Sequence, residues 1–405
     1  LASSHNICAG ATTTIQVNLT GGTGPYDIVY NDGSDHAIND YVSGTDITVG
    51  PYPVVSTNIS LVSVIDNNNC TPASLGTPIT ITVGSTPSSA TLTGSGDACF
   101  NSGNSYLTVT VTDGVSPYNL IINGTPYNNF ISGNNIDLGI LGVGTHTYNL
   151  TSVTDACGNS VPPGGLPGVY TINIRPIPDA SGTNPASQNI CSNGTASITL
   201  NSTVPNTTFS WTVASVPATG YSWTGGKDPV PGSITDADGD GTELLTRQLQ
   251  HNYNAAVTVT YIITPTGPGP TACAGAAVTR TIVVDPVPAI SNMTASICSG
   301  GSFTFTPANG VDGIVPEGTT YSWPAPVVTG GITGGAAGTN QPNISGTLTN
   351  PTNTPQTATY TVTPTAGSCS GPSFTVTITV NPSPSINNMT ASICSGGSFT
   401  FTPAN

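Results

Sequence analysis

The sequence predicts an all-β protein built as a row of immunoglobulin-like sandwiches, and three observations carry that prediction. The composition suits strands and turns: of 405 residues only 6% are charged, Gly (48) and Pro (35) are abundant, and Thr, Ser, Asn and Val fill most of the rest. β-branched residues fit a pleated surface, Gly, Pro and Asn close turns, and the Leu, Glu and Lys that helices favour are scarce. Short runs alternate apolar and polar residues at period two, as half-buried strands do. Finally, ISNMTASICSGGSFTFTPAN at Ile290–Asn309 returns at Ile386–Asn405 with one change, Ser291 becoming Asn387, and such self-similarity marks a tandem array.

Taken in order, a first repeat covers residues 1–84, with strands expected at TTIQVNL (13–19), YDIVY (26–30), ISLVSVID (59–66) and ITITV (79–83). A second, 85–175, echoes it with YLTVTV (106–111), SPYNLII (116–122), YNLTSVTD (148–155) and VYTINI (169–174). A third (176–285) and a fourth (286–381) form another subtype: each has a YSW segment, at 221–223 and 321–323, and a long late strand, TVTYIIT (258–264) or ATYTVTPT (358–365). They close on TRTIVV (279–284) and FTVTITV (374–380), and residues 382–405 open a further, truncated repeat. Pro176-Ile177-Pro178, Pro286-Val287-Pro288 and Pro382-Ser383-Pro384 mark the boundaries. Proline fixes φ and restricts its predecessor, so extended, stiff linkers and an elongated rod are expected.

Nine cysteines fall at the same places in successive repeats, one shortly after each linker and one before each closing run. Pairing them in sequence gives Cys8 with Cys70, Cys99 with Cys157, Cys191 with Cys273 and Cys298 with Cys369. Cys394 takes the opening position of the next repeat, its partner expected beyond residue 405. There is no C-x-x-C pair, and no histidine stands at zinc-site spacing from cysteines. Disulfides place the chain in an oxidising, extracellular compartment.

The formal charge of −15 with only four Lys and Arg argues against a nucleic-acid or anionic-membrane partner. No run of about 20 apolar residues is present to span a bilayer, and residues 1–19 show no signal-peptide pattern. G-x-S-x-G, HExxH, the P-loop and the Rossmann glycine fingerprint are all missing. The histidines, His5, His36, His146 and His251, share no position among the repeats, so no enzyme is read here. Lys227, the single lysine, rules out a Lys–Asn isopeptide staple in every repeat. N-x-[ST] sites at Asn18, Asn58, Asn149, Asn206, Asn292 and Asn388 leave glycosylation open.

One constellation stands apart: Asp236, Asp238, Asp240 and Glu243 alternate through a glycine turn, DADGDGTE, where oxygens can converge on Ca²⁺, the one cofactor considered. Position 12 of an EF-hand would fall on Arg247, so a helix–loop–helix site is excluded and a solvated acidic turn is the competing reading. Asp66 and Asp155, ending matched strands, read as turn caps. Trp223 and Trp323 read as core residues packed near cystines. Trp211, in TTFSWTV, competes for that place in the third repeat, and the sequence does not choose between them.

GGTGPYDIVY with LVSVIDNNNC, and VSPYNL with LTSVTDACG, resemble the SprB-type repeats of Bacteroidota surface proteins. The P-x-P, ICSGGSFTFTP, YSW, TYTVTPTAGSC and FTVTITVNPSP segments resemble the PKD-like repeats of the same giant proteins. The resemblance implies a type IX-secreted cell-surface adhesin, some relatives of which serve as gliding filaments. On this reading the chain is a stalk segment that projects a distal binding tip, and its partners are neighbouring repeats of the same long chain. Two alternatives remain open: carbohydrate-binding modules that recognise surface polysaccharide, and a fibre or sheath assembled from copies of the chain.

Overall fold

The computed structural model describes residues 5–402 apart from 54, 385 and 387. Strands dominate; the 3₁₀ turn Pro163–Gly165 is present, and there is no α-helix among the described residues. The chain divides into two compact units, Leu1–Pro176 and Ile177–Asn405. Each unit holds two sandwiches with separate apolar cores.

In the first sandwich one sheet runs His5–Ile7, Ile79–Val83, Thr57–Asp66, Tyr26–Asn31, Asp35–Tyr41 in spatial order, and Thr13–Gln16 pairs with Asp46–Val49 in a second. The opening strand lies parallel to the closing one, with His5 opposite Ile81. The second sandwich pairs Ala98–Cys99 with Tyr170–Arg175 in the same parallel sense. Gly144–Tyr148 pairs with the other edge of that closing strand, and the remaining strands form Ser89–Gly94 with Ser105–Thr112 and Asn135–Gly139, and Tyr118–Ile122 between Thr125–Phe130 and Leu150–Thr154.

The third and fourth sandwiches share one plan. In the third, Ser187–Cys191 lies parallel to Val278–Asp285, followed by Val257–Thr266, Thr208–Val216 and Gly232–Thr235, while Gly194–Asn201 pairs with Thr242–Leu249. In the fourth, Met293–Cys298 lies parallel to Phe374–Asn381, followed by Gln356–Ala366, Thr320–Trp323 and Gly338–Gln341, while Ser302–Phe305 pairs with Ile344–Thr347. The period-two pattern is what builds these layers. In Phe374–Asn381 the side chains of Phe374, Val376, Ile378 and Val380 are buried, and the threonines between them face the other way. Each such apolar side chain contributes about 1.5–3 kcal/mol on full burial.

The YSW of residues 221–223 departs from expectation. It forms no strand, and Trp223 makes only an isolated bridge to His251.

Candidate functional site

The feature most suggestive of function is where the cystines fall. Cys8 is bonded to Cys157 and Cys191 to Cys369, each pair with Cα atoms 5.5 Å apart. Each bond joins the opening cysteine of one sandwich to the closing cysteine of the next. Either bond alone contradicts two of the four sequential pairs, so none of those pairs forms. Cys99 and Cys273 are disulfide-bonded as well, whereas Cys70, Cys298 and Cys394 carry free, exposed thiols. Linear spacing could not reveal this, because a bond within a repeat and one across a junction use the same cysteines.

Buried carboxylates set the turns beside these cysteines. Asp155 accepts the N–H groups of Cys157 (2.9 Å) and Asn159 (2.8 Å) on one oxygen and that of Val115 (3.2 Å) on the other. It therefore holds the cystine turn and the loop on which the first repeat ends: a Cβ on Gly84 would stand 2.1 Å from Val115 Cγ2, so only glycine fits there. Asp66 does the same in the first repeat, accepting from Thr23, Asn68 and Cys70. The Cys70 and Thr23 N–H groups hold its carboxyl below the usual range. The registers differ, however. Cys70 is the fourth residue after its aspartate and Cys157 the second, so the two closing cysteines leave their turns at different places.

At the junction in the second unit, Cys191 ends its opening strand and Cys369 lies opposite Ala366 in a tight hairpin. The Pro288 carbonyl of the linker lies 2.0 Å from where a Gly371 Cβ would sit, and Pro178 stands 1.9 Å from the corresponding point on Gly275. The linkers are thus docked on the sandwiches that follow them. A cleft lined by Asp285, Pro286, Pro316, Glu317, Ala366 and Gly367 adjoins the cystine.

The tryptophans are distributed differently from the YSW match. Trp323 is buried, opposite Gly338, with Nε1–H donating to Ala336 O at 3.0 Å. Its counterpart in the third sandwich is Trp211, opposite Gly232, with Nε1–H donating to Val230 O at 3.0 Å. Trp223 instead packs edge-on against Tyr221 and His251 beside the core. The usable signal was strand context: FSW lies inside an alternating run, whereas the YSW at 221–223 is flanked by glycines.

In the acidic loop, carboxylate oxygens of Asp236, Asp238 and Asp240 come within 4.8 Å of one another. Glu243 lies outside this group, on the strand opposite Leu200. Burial raises the Asp236 pKa, but the N–H groups of Asn206, Gly241 and Gly239 outweigh it and hold the carboxyl below its usual range. Asp240 accepts from the Thr242 N–H and hydroxyl. The three carboxylates that converge could supply part of the six to eight oxygens Ca²⁺ takes, the rest being left to water or backbone carbonyls. Asp236 also closes the turn through its backbone donors.

Residues 188–288 and 295–384 each match the PKD-like domain family. No curated protein sequence matches the chain. Among solved structures, three immunoglobulin domains of titin are similar at 10% identity and a TM-score of 0.38, covering 74% of this chain and 100% of that one. Immunoglobulin domains 1–5 of Sidekick-1 show 10% identity and a TM-score of 0.31, covering 95% and 80%. SGBP-B of the Bacteroides ovatus mixed-linkage glucan utilization locus, solved with a mixed-linkage heptasaccharide, shows 14% identity and a TM-score of 0.17, covering 72% and 67%. The chain is a tandem array of immunoglobulin-like and PKD-like sandwiches with disulfide staples, the construction of an extracellular repeat protein.

Proposed function

We propose that this chain is a load-bearing stalk segment of an extracellular bacterial adhesin, and the cross-repeat cystines are the observation that carries the proposal. A bond within a sandwich protects that sandwich from extension but leaves its junction to stretch. A bond from the opening cysteine of one sandwich to the closing cysteine of the next takes the junction and all the strands between the two cysteines out of the tensile path, leaving in it the strand before the first cysteine and the closing strand after the second. Force entering at Cys8 passes through sulfur to Cys157, bypassing a separation of 149 residues, or roughly 500 Å of chain at about 3.4 Å per residue. The Cys191–Cys369 bond bypasses 178 residues, or roughly 600 Å. Each closed loop also removes about 5 kcal/mol of chain entropy from the unfolded state.

Surface adhesion and a gliding-filament role follow from the resemblance to SprB-type repeats and complete this reading. Trp211, the aromatic a lectin reading would use, has its indole N–H engaged by Val230 and its ring against Gly232. The test is single-molecule stretching of the chain with and without reductant. Reduction should add roughly 1,100 Å of extension at about 3.4 Å per residue, and an oxidised chain that extends as far as the reduced one would overturn the proposal.

A further inference from the structure

Cys298 shares the strand register and flanking hydrogen bonds of Cys191. Each is the last residue of an opening strand in parallel register with the closing strand, Cys191 opposite Asp285 and Cys298 opposite Asn381. The next residue donates its N–H to that same partner, Ser192 to Asp285 O and Ser299 to Asn381 O, both at 2.7 Å. The serine hydroxyls then bind the backbone of His251 and Asn350 in turn. Yet Cys191 is bonded and Cys298 is not. The closing cysteine of its own sandwich, Cys369, is 1% exposed and already held by Cys191. After the linker Pro382-Ser383-Pro384, the chain repeats the opening string of the fourth sandwich, with Cys394 in the place of Cys298.

We infer that Cys298 is the open half of another cross-repeat cystine, and that it takes the closing-type cysteine of a PKD-like repeat packed after the fourth sandwich, leaving Cys394 for the repeat after that. The reaction joins two thiols into one S–S bond. Two electrons and two protons pass to a disulfide oxidant, for which oxidised glutathione serves as the probe, itself cleaved to two thiols. The inference concerns connectivity and stands whether or not the array bears load.

The test completes the repeat. Residues 310–384 are appended after Asn405, the chain is refolded with oxidised and reduced glutathione, and cystines are mapped by non-reducing digestion. A peptide pair joining Cys298 to the added copy of Cys369, with Cys394 still open to alkylation, is the expected result. A monomer on a non-reducing gel places both halves in one chain, and a covalent dimer with the same pair assigns the closing cysteine to a second copy. A bond between Cys394 and the added cysteine, or a Cys298 that still alkylates, overturns the inference. Cys191→Ser in the unextended chain is an independent check: Cys369 should then alkylate once the chain is unfolded in denaturant, and a Cys298–Cys369 bond would overturn the rule even if the appended repeat failed to fold.

Discussion

The third and fourth sandwiches have the same strand order, but corresponding positions carry different chemistry. His251 in one stands where Asn350 stands in the other. Both bracket a serine, Ser192 or Ser299, and both donate a side-chain N–H to the closing strand, to Val284 O at 3.0 Å and Val380 O at 2.9 Å. Both also accept an N–H from two residues on, Tyr253 or Thr352. What the fold fixes is therefore a donor and an acceptor at set places, and two unrelated side chains supply them. The tryptophans differ in the opposite way: the same residue keeps its partner geometry while its burial changes, Trp323 lying inside the core and Trp211 at its margin.

That contrast predicts the largest effect. Trp323→Ala should cost the fourth sandwich about 3–5 kcal/mol, the usual range for emptying a buried tryptophan site. Trp211→Ala should cost the third about 2 kcal/mol, since part of its surface is already wet. Hydrogen exchange in urea, read on peptides from each sandwich, separates the two. Equal losses would show that Trp211 is as much a core residue as Trp323.

The duplicated string shows which parts of this architecture the sequence can announce. At Ile290–Asn309 it forms the strands Met293–Cys298 and Ser302–Phe305, and Phe303 is buried. The second copy forms no strand over residues 388–402, and its Phe399 is 58% exposed. The tight turn survives in both, with Gly301 N–H on Cys298 O at 2.9 Å and Gly397 N–H on Cys394 O at 3.0 Å. Gly300 and Gly396 hold φ of 84° and 81°, the left-handed conformation glycine adopts freely. Turn chemistry is local and therefore readable. The opening strand depends on a ladder to Phe374–Asn381 far downstream, which no local pattern contains.

The same reasoning explains which strands and bonds were legible. Val257–Thr266 and Phe374–Asn381 alternate strictly because one face is core. Asp35–Tyr41 is an edge strand exposed along nearly its whole length, so it carries no alternation to find. The cysteines marked every repeat, but their bonding depends on how neighbouring sandwiches pack, and the sequence holds no trace of that. The Asp66 and Asp155 turn caps needed only local turn chemistry, and the alternating aspartates of the acidic loop do converge as their spacing suggests, while the backbone donors that hold Asp236 are not displayed in its sequence.

A smaller effect tests how rigidly each tryptophan is held. A Cβ on Gly338 would lie 2.5 Å from Trp323 Cζ2, and one on Gly232 would lie 2.8 Å from Trp211 Cζ2. Overpacking of this kind costs about 1–3 kcal/mol, with the upper end reached where the neighbour cannot move. Gly338→Ala should therefore lower the urea midpoint of the fourth sandwich more than Gly232→Ala lowers that of the third. The reverse order would mean that Trp211 is the more constrained ring despite its exposure.

The smallest effect is a difference in pH response. Burial pushes the His251 pKa down, only partly opposed by its bond to Val284 and by Asp285. Its hydrogen bonds give the reason: Nε2–H donates to Val284 O while Nδ1 accepts from Tyr253, so a second proton would displace a backbone donor. A group whose folded pKa is depressed gives stability that is complete above its unfolded value, about 6.5 for histidine, and is lost as pH falls through the folded value. The third sandwich should therefore weaken as pH falls below about 6.5, starting above the range where carboxylates begin to protonate. The fourth, with Asn350 in that place, should hold its midpoint. His251→Asn should keep the donor to Val284 and the acceptor for Tyr253 and remove the pH slope, and Asn350→His should install one in the fourth sandwich. Urea midpoints at pH 7.5 and 5.5, read by exchange on each sandwich, decide it, and a slope that survives His251→Asn would assign the titration to another group.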